Sequence, residues 1–177
     1  EIGVRLVGSE MCIRDSYITI DTENWQELKR VMYGTDKKSY SLLSSTMAYN
    51  PIDNNTYSLQ YNDGMSGMDW CIYNDEYDEM DKIAAFRGKY NVLTLAAVPD
   101  GGMFFINWLG DLYRIDRKTA RPTLVGTTGV QPVMYSQSMV YDGRTGLFIW
   151  AAQTETGSEL YAVNPETAET SLIGRFN

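Results

Sequence analysis

Apolar and polar residues alternate along most of the chain in short runs, and the runs come in pairs joined by a few polar residues. Two of these pairs are close copies of each other: Leu112–Gly126 reads LYRIDRKTARPTLVG, and Leu160–Gly174 reads LYAVNPETAETSLIG. Looser copies begin at Tyr17 and at Cys71. Alternation with a period of two is typical of a half-buried β-strand. Each copy therefore predicts two strands joined by a tight turn.

An Asp or Asn leads the predicted turn in every copy, at Asp21, Asn74, Asp116 and Asn164. A side chain of this type can accept a hydrogen bond from the backbone N–H two residues on, which closes the turn locally. The four positions recur at intervals of 53, 42 and 48 residues, close to the repeat of roughly 40–50 residues of a β-propeller blade. The pattern predicts an all-β fold, an incomplete β-propeller with about three four-stranded blades and the second half of a preceding blade.

The spacing of turn signals gives expected boundaries for these units. The half blade is predicted at 17–33, and the full blades at 40–86, 93–127 and 136–177. A β-sandwich is the alternative all-β architecture, since it also has short strands at regular spacing. The internal repeat favours the propeller, because a sandwich does not need segments that resemble one another.

The first sixteen residues do not follow the pattern. Leu6–Asp15, with the sequence LVGSEMCIRD, resembles one reading frame of a sequencing adapter, and Ser16 is compatible with the codon that follows. We therefore expect residues 1–16 to be adapter-derived and exclude them from fold reasoning; a genuine N-terminal strand is the alternative. Without Cys12 only Cys71 remains, so no disulfide is expected within 17–177. We interpret 17–177 as an internal fragment of a longer protein.

Composition and charge argue against two classes of partner, nucleic acid and the membrane interior. The chain has 177 residues, a net charge of −8, 13 Tyr and 4 Trp. An acidic balance without a clustered basic patch argues against nucleic-acid binding, which depends on neutralising phosphates. No apolar run approaches the roughly 18 residues that a membrane-spanning helix needs, so no membrane span is expected.

Few residues in the sequence are candidates for catalysis or metal binding. The chain contains no His, which excludes Ser-His-Asp arrangements and His-containing metal sites within this sequence. Cys71 is interpreted as a small buried side chain and not as a nucleophile. The acidic run at 74–81 suggests a calcium site, but it aligns with the ordinary turns at Asp116 and Asn164. We therefore predict a turn there, with no metal and no cofactor.

Carboxylate pairs are the remaining catalytic option, because glycoside hydrolases use two Asp or Glu side chains. Asp63, Asp69, Asp100 and Asp142 are the candidates, and most of them lie in turn signals that need Asp for geometry. A carbohydrate-active propeller enzyme with Asp or Glu acid–base residues is therefore the alternative to a non-catalytic binding or scaffold module. The sequence favours the binding module and predicts no catalytic residue.

Ligands of propellers usually meet the loops at one end of the central channel. The segments that lead into the predicted inner strands are expected to line that rim. The candidate ligand-binding residues in these segments are Ser44, Ser45, Asn91, Tyr135 and Gln137.

The runs Met47–Tyr57, Leu112–Asp116 and Val163–Ala168 resemble propeller-like segments of large secreted or surface proteins of Bacteroidota, which often carry fibronectin type III or adhesin-like modules. The resemblance rests on repeat style and includes no active-site motif. It implies an extracellular or cell-surface location, in a multidomain protein. The partners that it implies are a glycan, a peptide or neighbouring domains of the same protein.

Overall fold

The chain forms short strands separated by Asx and glycine turns, and within each sheet a strand pairs with the next one in sequence. The computed structural model describes residues 16–21, 23–32, 46–62, 66–74, 76–77, 79–135 and 137–176. The strands, in chain order, are β1 (Ser16–Ile20), β2 (Glu27–Met32), β3 (Met47–Asn50), β4 (Asn55–Tyr61), β5 (Met68–Asn74), β6 (Glu79–Phe86), β7 (Val92–Ala97), β8 (Met103–Asn107), β9 (Asp111–Ile115), β10 (Pro122–Thr127), β11 (Ser138–Asp142), β12 (Leu147–Thr154), β13 (Gly157–Val163) and β14 (Thr170–Phe176). Residues 1–15 of the predicted adapter segment, and the candidates Ser44 and Ser45, lie outside the described residues.

The strands form three four-stranded antiparallel sheets and one two-stranded sheet. Strands β3 to β6, β7 to β10 and β11 to β14 each follow sequence order within their sheet, and β1 pairs with β2. We call the three larger sheets blades 1, 2 and 3. The first strand of blade 2, β7, contacts both β3 and β11, the first strands of its neighbours. Three sheets that meet through their first strands form a propeller arrangement, so the predicted fold class and blade count are confirmed.

The core lies between the blades. Strand β8 is buried along its whole length, because its alternate side chains enter two different interfaces. Phe105 packs with Trp70 in the cluster between blades 1 and 2. Phe104 packs with Phe148 and with Trp150 in the cluster between blades 2 and 3. Full burial of a large apolar side chain contributes about 1.5–3 kcal/mol to stability. Apolar contacts on both faces therefore stabilise blade 2.

The repeated turn is the same structure in three copies. The backbone N–H groups of Trp25, Ala120 and Ala168 bond to the carbonyl oxygens four residues earlier, at 2.8–2.9 Å. These three residues have φ values of 62°, 58° and 62°, so the chain reverses through a left-handed residue. The side-chain oxygens of the four turn-leading residues accept the N–H two residues on. The backbone N–H groups of Glu23, Glu76, Lys118 and Glu166 donate, in that order, to the side chains of Asp21, Asn74, Asp116 and Asn164. The predicted Asx turns are confirmed, and the acidic run also contains this bond, at Asn74.

Antiparallel order places the loops at two opposite ends of the blades. We call the end at which β3, β7 and β11 begin the entry end; it also holds the β4–β5, β8–β9 and β12–β13 turns. The opposite end, which we call the turn end, holds the repeated Asx turns. At the turn end blade 1 is tied to blade 2, since the Trp70 indole Nε1 donates to the Arg117 carbonyl oxygen at 2.9 Å and Asn50 Nδ2 donates to the Gly101 carbonyl oxygen at 3.0 Å.

Candidate functional site

Asn91 lies at the entry end, directly before β7. The residue is exposed and has a φ of 46°, a left-handed conformation that Asn adopts more readily than most residues. Its carbonyl oxygen accepts the backbone N–H of Trp108 at 3.0 Å. The segment that enters blade 2 is therefore joined to the β8–β9 turn of the same blade.

Trp108 is held from two sides. Besides its bond to Asn91, its own carbonyl oxygen accepts the side-chain Nε2 of Gln131 at 2.9 Å. Gln131 belongs to the segment that connects blade 2 to blade 3. Because the N–H and the carbonyl group of Trp108 are both hydrogen-bonded, its backbone is fixed at the entry end.

Tyr135 is the aromatic neighbour of Trp108 at the entry end. Its ring contacts the Trp108 ring with centroids 4.7 Å apart and planes inclined by 36°, and 60% of the residue is exposed. The structure thus brings the predicted residues Asn91 and Tyr135 together through Trp108. Trp108 is not among the residues predicted from the sequence, because it lies in the β8–β9 turn and not in a segment that enters an inner strand. A Trp beside the glycine of a predicted turn was the signal available.

Gln137 is buried, with 5% of its surface exposed, and its side chain is used inside the protein. Its Nε2 donates to the Met134 carbonyl oxygen at 2.6 Å, and its Oε1 accepts the Trp150 indole N–H at 2.8 Å. The segment that carries Tyr135 is thereby fastened to the core of blade 3. Direct ligand binding by Gln137 stays a prediction, and the observed bonds give this residue a positioning role.

The β8–β9 turn is packed closely against the connecting segment. Gly110 has a φ of 77°, and a Cβ built on it would lie 2.0 Å from the Val130 carbonyl oxygen. The Gly110 carbonyl oxygen accepts both the N–H of Thr128 at 3.0 Å and its hydroxyl at 2.6 Å. Asn107 Oδ1 accepts the backbone N–H groups of Leu109 and Asp111, which closes the turn itself. Only glycine allows this approach of two backbones.

Apolar side chains beside the aromatic pair are unusually exposed. Leu109 is 65% exposed and Met134 is 48% exposed. We call these two residues, the aromatic pair and the two residues bonded to the Trp108 backbone the aromatic platform. Its members are Asn91, Trp108, Leu109, Gln131, Met134 and Tyr135. None of the six carries a formal charge, in a protein with a net charge of −8.

The acids considered as catalytic candidates have structural partners where they are described. Asp69 is buried and pairs with Lys82 at 2.8 Å, while Asp100 accepts the N–H of Gly102 at 2.8 Å. Asp142 accepts the N–H of Arg144 and the hydroxyl of Thr145, and these bonds lower its pKa. Asp63 lies outside the described residues. No observation in the described ranges favours a carboxylate pair, and no three Asp, Glu or Cys side chains there are grouped to hold a metal ion.

Two further ionisable groups are fully enclosed. Burial raises the pKa of the Cys71 thiol to about 12, so Cys71 is a neutral buried side chain, as predicted.

Glu159 is 1% exposed and accepts hydrogen bonds from Tyr161, Arg175, Thr154 and Thr156. The bond from the Tyr161 hydroxyl, followed by that from Arg175, lowers the pKa of Glu159 to about 2. An anion satisfied in this way holds strands together and does not exchange protons near neutral pH.

A groove lies at the turn end, between blades 2 and 3. This groove has a volume of about 750 Å³. Arg114 crosses its floor, with the guanidinium 5.7 Å from the centre of the Phe104 ring. Leu124, which is 54% exposed, forms part of the wall. The groove and the aromatic platform are at opposite ends of the blades.

Comparison with known proteins identifies the fold. The chain matches no protein-family model and no curated protein. It is similar to a structure of unknown function from Bacteroides thetaiotaomicron VPI-5482, with a TM-score of 0.60 and 13% identity over 90% of this chain and 40% of that one. It is similar to a chain of the nidogen/laminin complex, with a TM-score of 0.63 and 11% identity over 93% of this chain and 60% of that one. An auxiliary nutrient binding protein from Bacteroides ovatus ATCC 8483 gives a TM-score of 0.56 and 12% identity over 98% of this chain and 39% of that one.

The chain spans between 39% and 60% of the length of these three structures. At such identities the likeness concerns the fold alone. Among the described residues none forms a helix of the length and apolarity that a membrane crossing takes. The conclusion supported by the strand topology and by the similar structures together is that this chain is an all-β segment with β-propeller architecture.

Proposed function

We propose that this chain is part of a non-catalytic binding or scaffold propeller in an exported multidomain protein, and that it meets its ligand through the aromatic platform. The observation that supports the proposal is the contact between Trp108 and Tyr135 at the entry end. Three segments that are distant in sequence converge there, and each is fixed by hydrogen bonds. Aromatic side chains in a fixed position are the residues that dominate binding surfaces.

The exposure of the platform also supports a binding role. Single exposed apolar residues are ordinary on a protein surface. Leu109, Met134 and Tyr135 are exposed together, however, beside a Trp whose backbone is held from two sides. A contiguous apolar patch with a polar border is typical of an interaction site.

The similar structures support the general class of function. One is described as an auxiliary nutrient binding protein, and another is a chain of the nidogen/laminin complex. For this chain they favour a role in binding a nutrient-type ligand or another protein. The similarity to an auxiliary nutrient binding protein and the repeat style support a location outside the cytoplasm.

The proposal can be tested with an array of oligosaccharides and a displayed library of random peptides, using the complete chain. We expect at least one ligand class to bind, and Tyr135→Ala to weaken that binding about tenfold, since an anchor residue of a binding surface contributes more than about 1 kcal/mol. Leu124→Ala is the matched control, because it truncates an exposed apolar side chain at the opposite end. Binding that Leu124→Ala weakens and Tyr135→Ala leaves unchanged would move the site to the groove and refute the proposal. Absence of binding in both libraries would refute it as well.

A further inference from the structure

The groove between blades 2 and 3 differs from the equivalent position between blades 1 and 2, and the difference indicates a class of partner. We infer that the groove binds an arginine side chain of a partner polypeptide, with Asp100 as the counter-ion. The inference goes beyond the proposed function, because it concerns a surface at the opposite end of the blades from the aromatic platform.

Between blades 1 and 2, which we call the first interface, an arginine already bonds to an aspartate at the turn end. Asp53 lies in the turn after β3, and its Oδ1 accepts the backbone N–H of Asn55 at 3.3 Å. Its Oδ2 accepts two further bonds, from the Tyr57 hydroxyl at 2.8 Å and from the Arg117 guanidinium at 2.5 Å. Arg117 belongs to the β9–β10 turn of blade 2, so this ion pair joins the two blades.

Asp100 is the counterpart of Asp53 in blade 2. Each of these aspartates directly precedes the left-handed residue of its turn, which is Asn54 with a φ of 56° in one and Gly101 with a φ of 86° in the other. Asp100 Oδ1 likewise accepts the backbone N–H two residues on, at 2.8 Å. Its Oδ2, in contrast, has no hydrogen-bond partner among the residues that the structure describes.

The sequence removes both donors from the interface between blades 2 and 3. The β9–β10 and β13–β14 turns align through their Asx residues and their left-handed alanines, so Pro165 stands where the first interface has Arg117. Phe104 and Tyr57 each follow the left-handed residue of the preceding turn at the same spacing, and Phe104 has no hydroxyl group. The groove therefore keeps the acceptor of the first interface and lacks the guanidinium and the hydroxyl that bond to it.

The charges that line the groove favour a cationic partner. Asp100 and Glu166 contribute two carboxylates, and Arg114 contributes one guanidinium. Arg114 lies 5.7 Å from the centre of the Phe104 ring and forms no ion pair with either acid within the described ranges. Neither carboxylate is neutralised inside the protein, and the lining carries one more negative than positive charge.

The apolar part of the groove suits the stem of an arginine. Phe104, Leu124 and Pro165 are among the residues that line it. A long cationic side chain buries its methylene groups along such a surface while its charged head reaches a polar partner. A guanidinium can also donate two parallel bonds to one carboxylate and stack on an aromatic ring, which favours arginine over lysine. In the first interface a turn of the polypeptide presents Arg117, so a partner polypeptide is favoured over a free molecule.

Saturation-transfer NMR with the complete chain tests the inference, since this method detects weak binding. The probes are three pentapeptides with blocked termini and glycine at every position except the third, which is arginine, citrulline or glutamate. Citrulline has nearly the shape of arginine and no charge. We expect the arginine peptide to bind, and the citrulline peptide to bind about fivefold more weakly, as the loss of a partly exposed ion pair implies.

Two variants test the role of Asp100 and of the aligned position. Asp100→Asn keeps an acceptor for the Gly102 N–H and removes the charge, so it should fold and bind the arginine peptide about fivefold more weakly. Glu155→Gln is the matched control, because it neutralises an exposed acid at the entry end. Pro165→Arg supplies a guanidinium at the position equivalent to Arg117, so it should block the peptide and raise the melting temperature.

Equal binding of the arginine and citrulline peptides, or equal effects of Asp100→Asn and Glu155→Gln, would overturn the inference. Tighter binding of the glutamate peptide would do so as well, since the groove would then select an anion. Free arginine is the alternative occupant, and binding at least as tight as that of the peptide would exclude the partner polypeptide. Tyr135→Ala should leave binding of the arginine peptide unchanged, so failure here and failure of the platform proposal are distinguishable.

Discussion

At the scale of single residues, Glu159 shows how a buried carboxylate is kept ionised. Four hydrogen-bond donors surround it, on β12, β13, β14 and the β12–β13 turn. Bonds to the charged form favour that form, so the pKa falls. Tyr161 responds in the opposite direction, since burial and then the nearby carboxylate raise its pKa to about 12. In this pair the Tyr161 hydroxyl therefore donates the hydrogen bond and the Glu159 carboxylate accepts it.

The pH dependence of stability follows from the lowered pKa of Glu159. The folded-state value of about 2 lies below the ordinary value of 4.5. The stabilisation is therefore present above pH 4.5 and is lost as the pH falls from 4.5 towards 2. We expect Glu159→Gln to be less stable than the parent at pH 7 and to lose less stability across that acidic range. Urea unfolding at pH 7, 4.5 and 3 measures both differences.

Glu166→Gln is the matched control for this prediction, because Glu166 is an exposed acid on the same blade. We expect its stability to follow the parent across the acidic range. If Glu159→Gln kept the acid sensitivity of the parent in full, the hydrogen-bonded carboxylate would not be its source.

At the scale of elements, the β8–β9 turn connects the fold to the platform. It presents Trp108, and it can do so only because Gly110 touches the backbone of the connecting segment at Val130. A short turn with a left-handed glycine is a local feature. Its contact with a segment twenty residues later, which fixes the direction of Trp108, is not local.

Gly110→Ala tests this connection, and Gly129→Ala is its control. The two glycines have similar φ values, 77° and 74°, so a side chain causes similar backbone strain at both, about 1–2 kcal/mol. A Cβ at Gly110 would collide with Val130, whereas a Cβ at Gly129 would meet nothing within 4 Å. We expect Gly110→Ala to lower the free energy of unfolding by at least about 2 kcal/mol more than Gly129→Ala, as disruption of a packed site does.

Chemical denaturation gives the difference in stability, and the oligosaccharide array and peptide library give the effect on platform binding. Gly110→Ala should also abolish platform binding, because Trp108 is displaced. Equal losses of stability in the two variants would show that the close approach of Gly110 and Val130 is not needed.

At the scale of the whole molecule, blade 3 has one covered face and one that is partly open. Met139 on β11 is buried against blade 2, while the next residue, Val140, points to the other face and is 61% exposed. Leu147, Ile149 and Leu160 are only half-buried. Apolar sheet faces and strand edges left uncovered promote association. The equivalent face of blade 2 is covered by blade 3.

We therefore expect the isolated chain to self-associate at micromolar concentration. Val140→Lys should shift the distribution towards the monomer, because a charge on this face opposes apolar contact. Leu124→Lys, at an equally exposed position on another surface, is the control. Light scattering coupled to size exclusion measures the shift. A sharp monomer peak from the parent chain with a cooperative melt would contradict the expectation.

The candidate site could be predicted only in part. Asn91 and Tyr135 were assigned to the rim because segments that enter inner strands reach one end of a propeller. Gln137 was assigned by the same reasoning, yet its side chain is buried, since the sequence does not show that Trp150 needs an acceptor for its indole N–H. Trp108 and Glu159 were not predicted, because their partners come from other strands and segments.

The sequence by itself determined the strands, the repeated Asx turns and the all-β class. Those features depend on interactions within a few residues: a period of two in apolar positions, and an Asp or Asn oxygen that reaches a backbone N–H two residues on. Only the tertiary structure decided that three separate segments meet at Trp108 and that Glu159 is enclosed by four donors. Such contacts depend on how neighbouring strands and blades pack. No local pattern encodes the packing distance between two segments that are far apart in the chain.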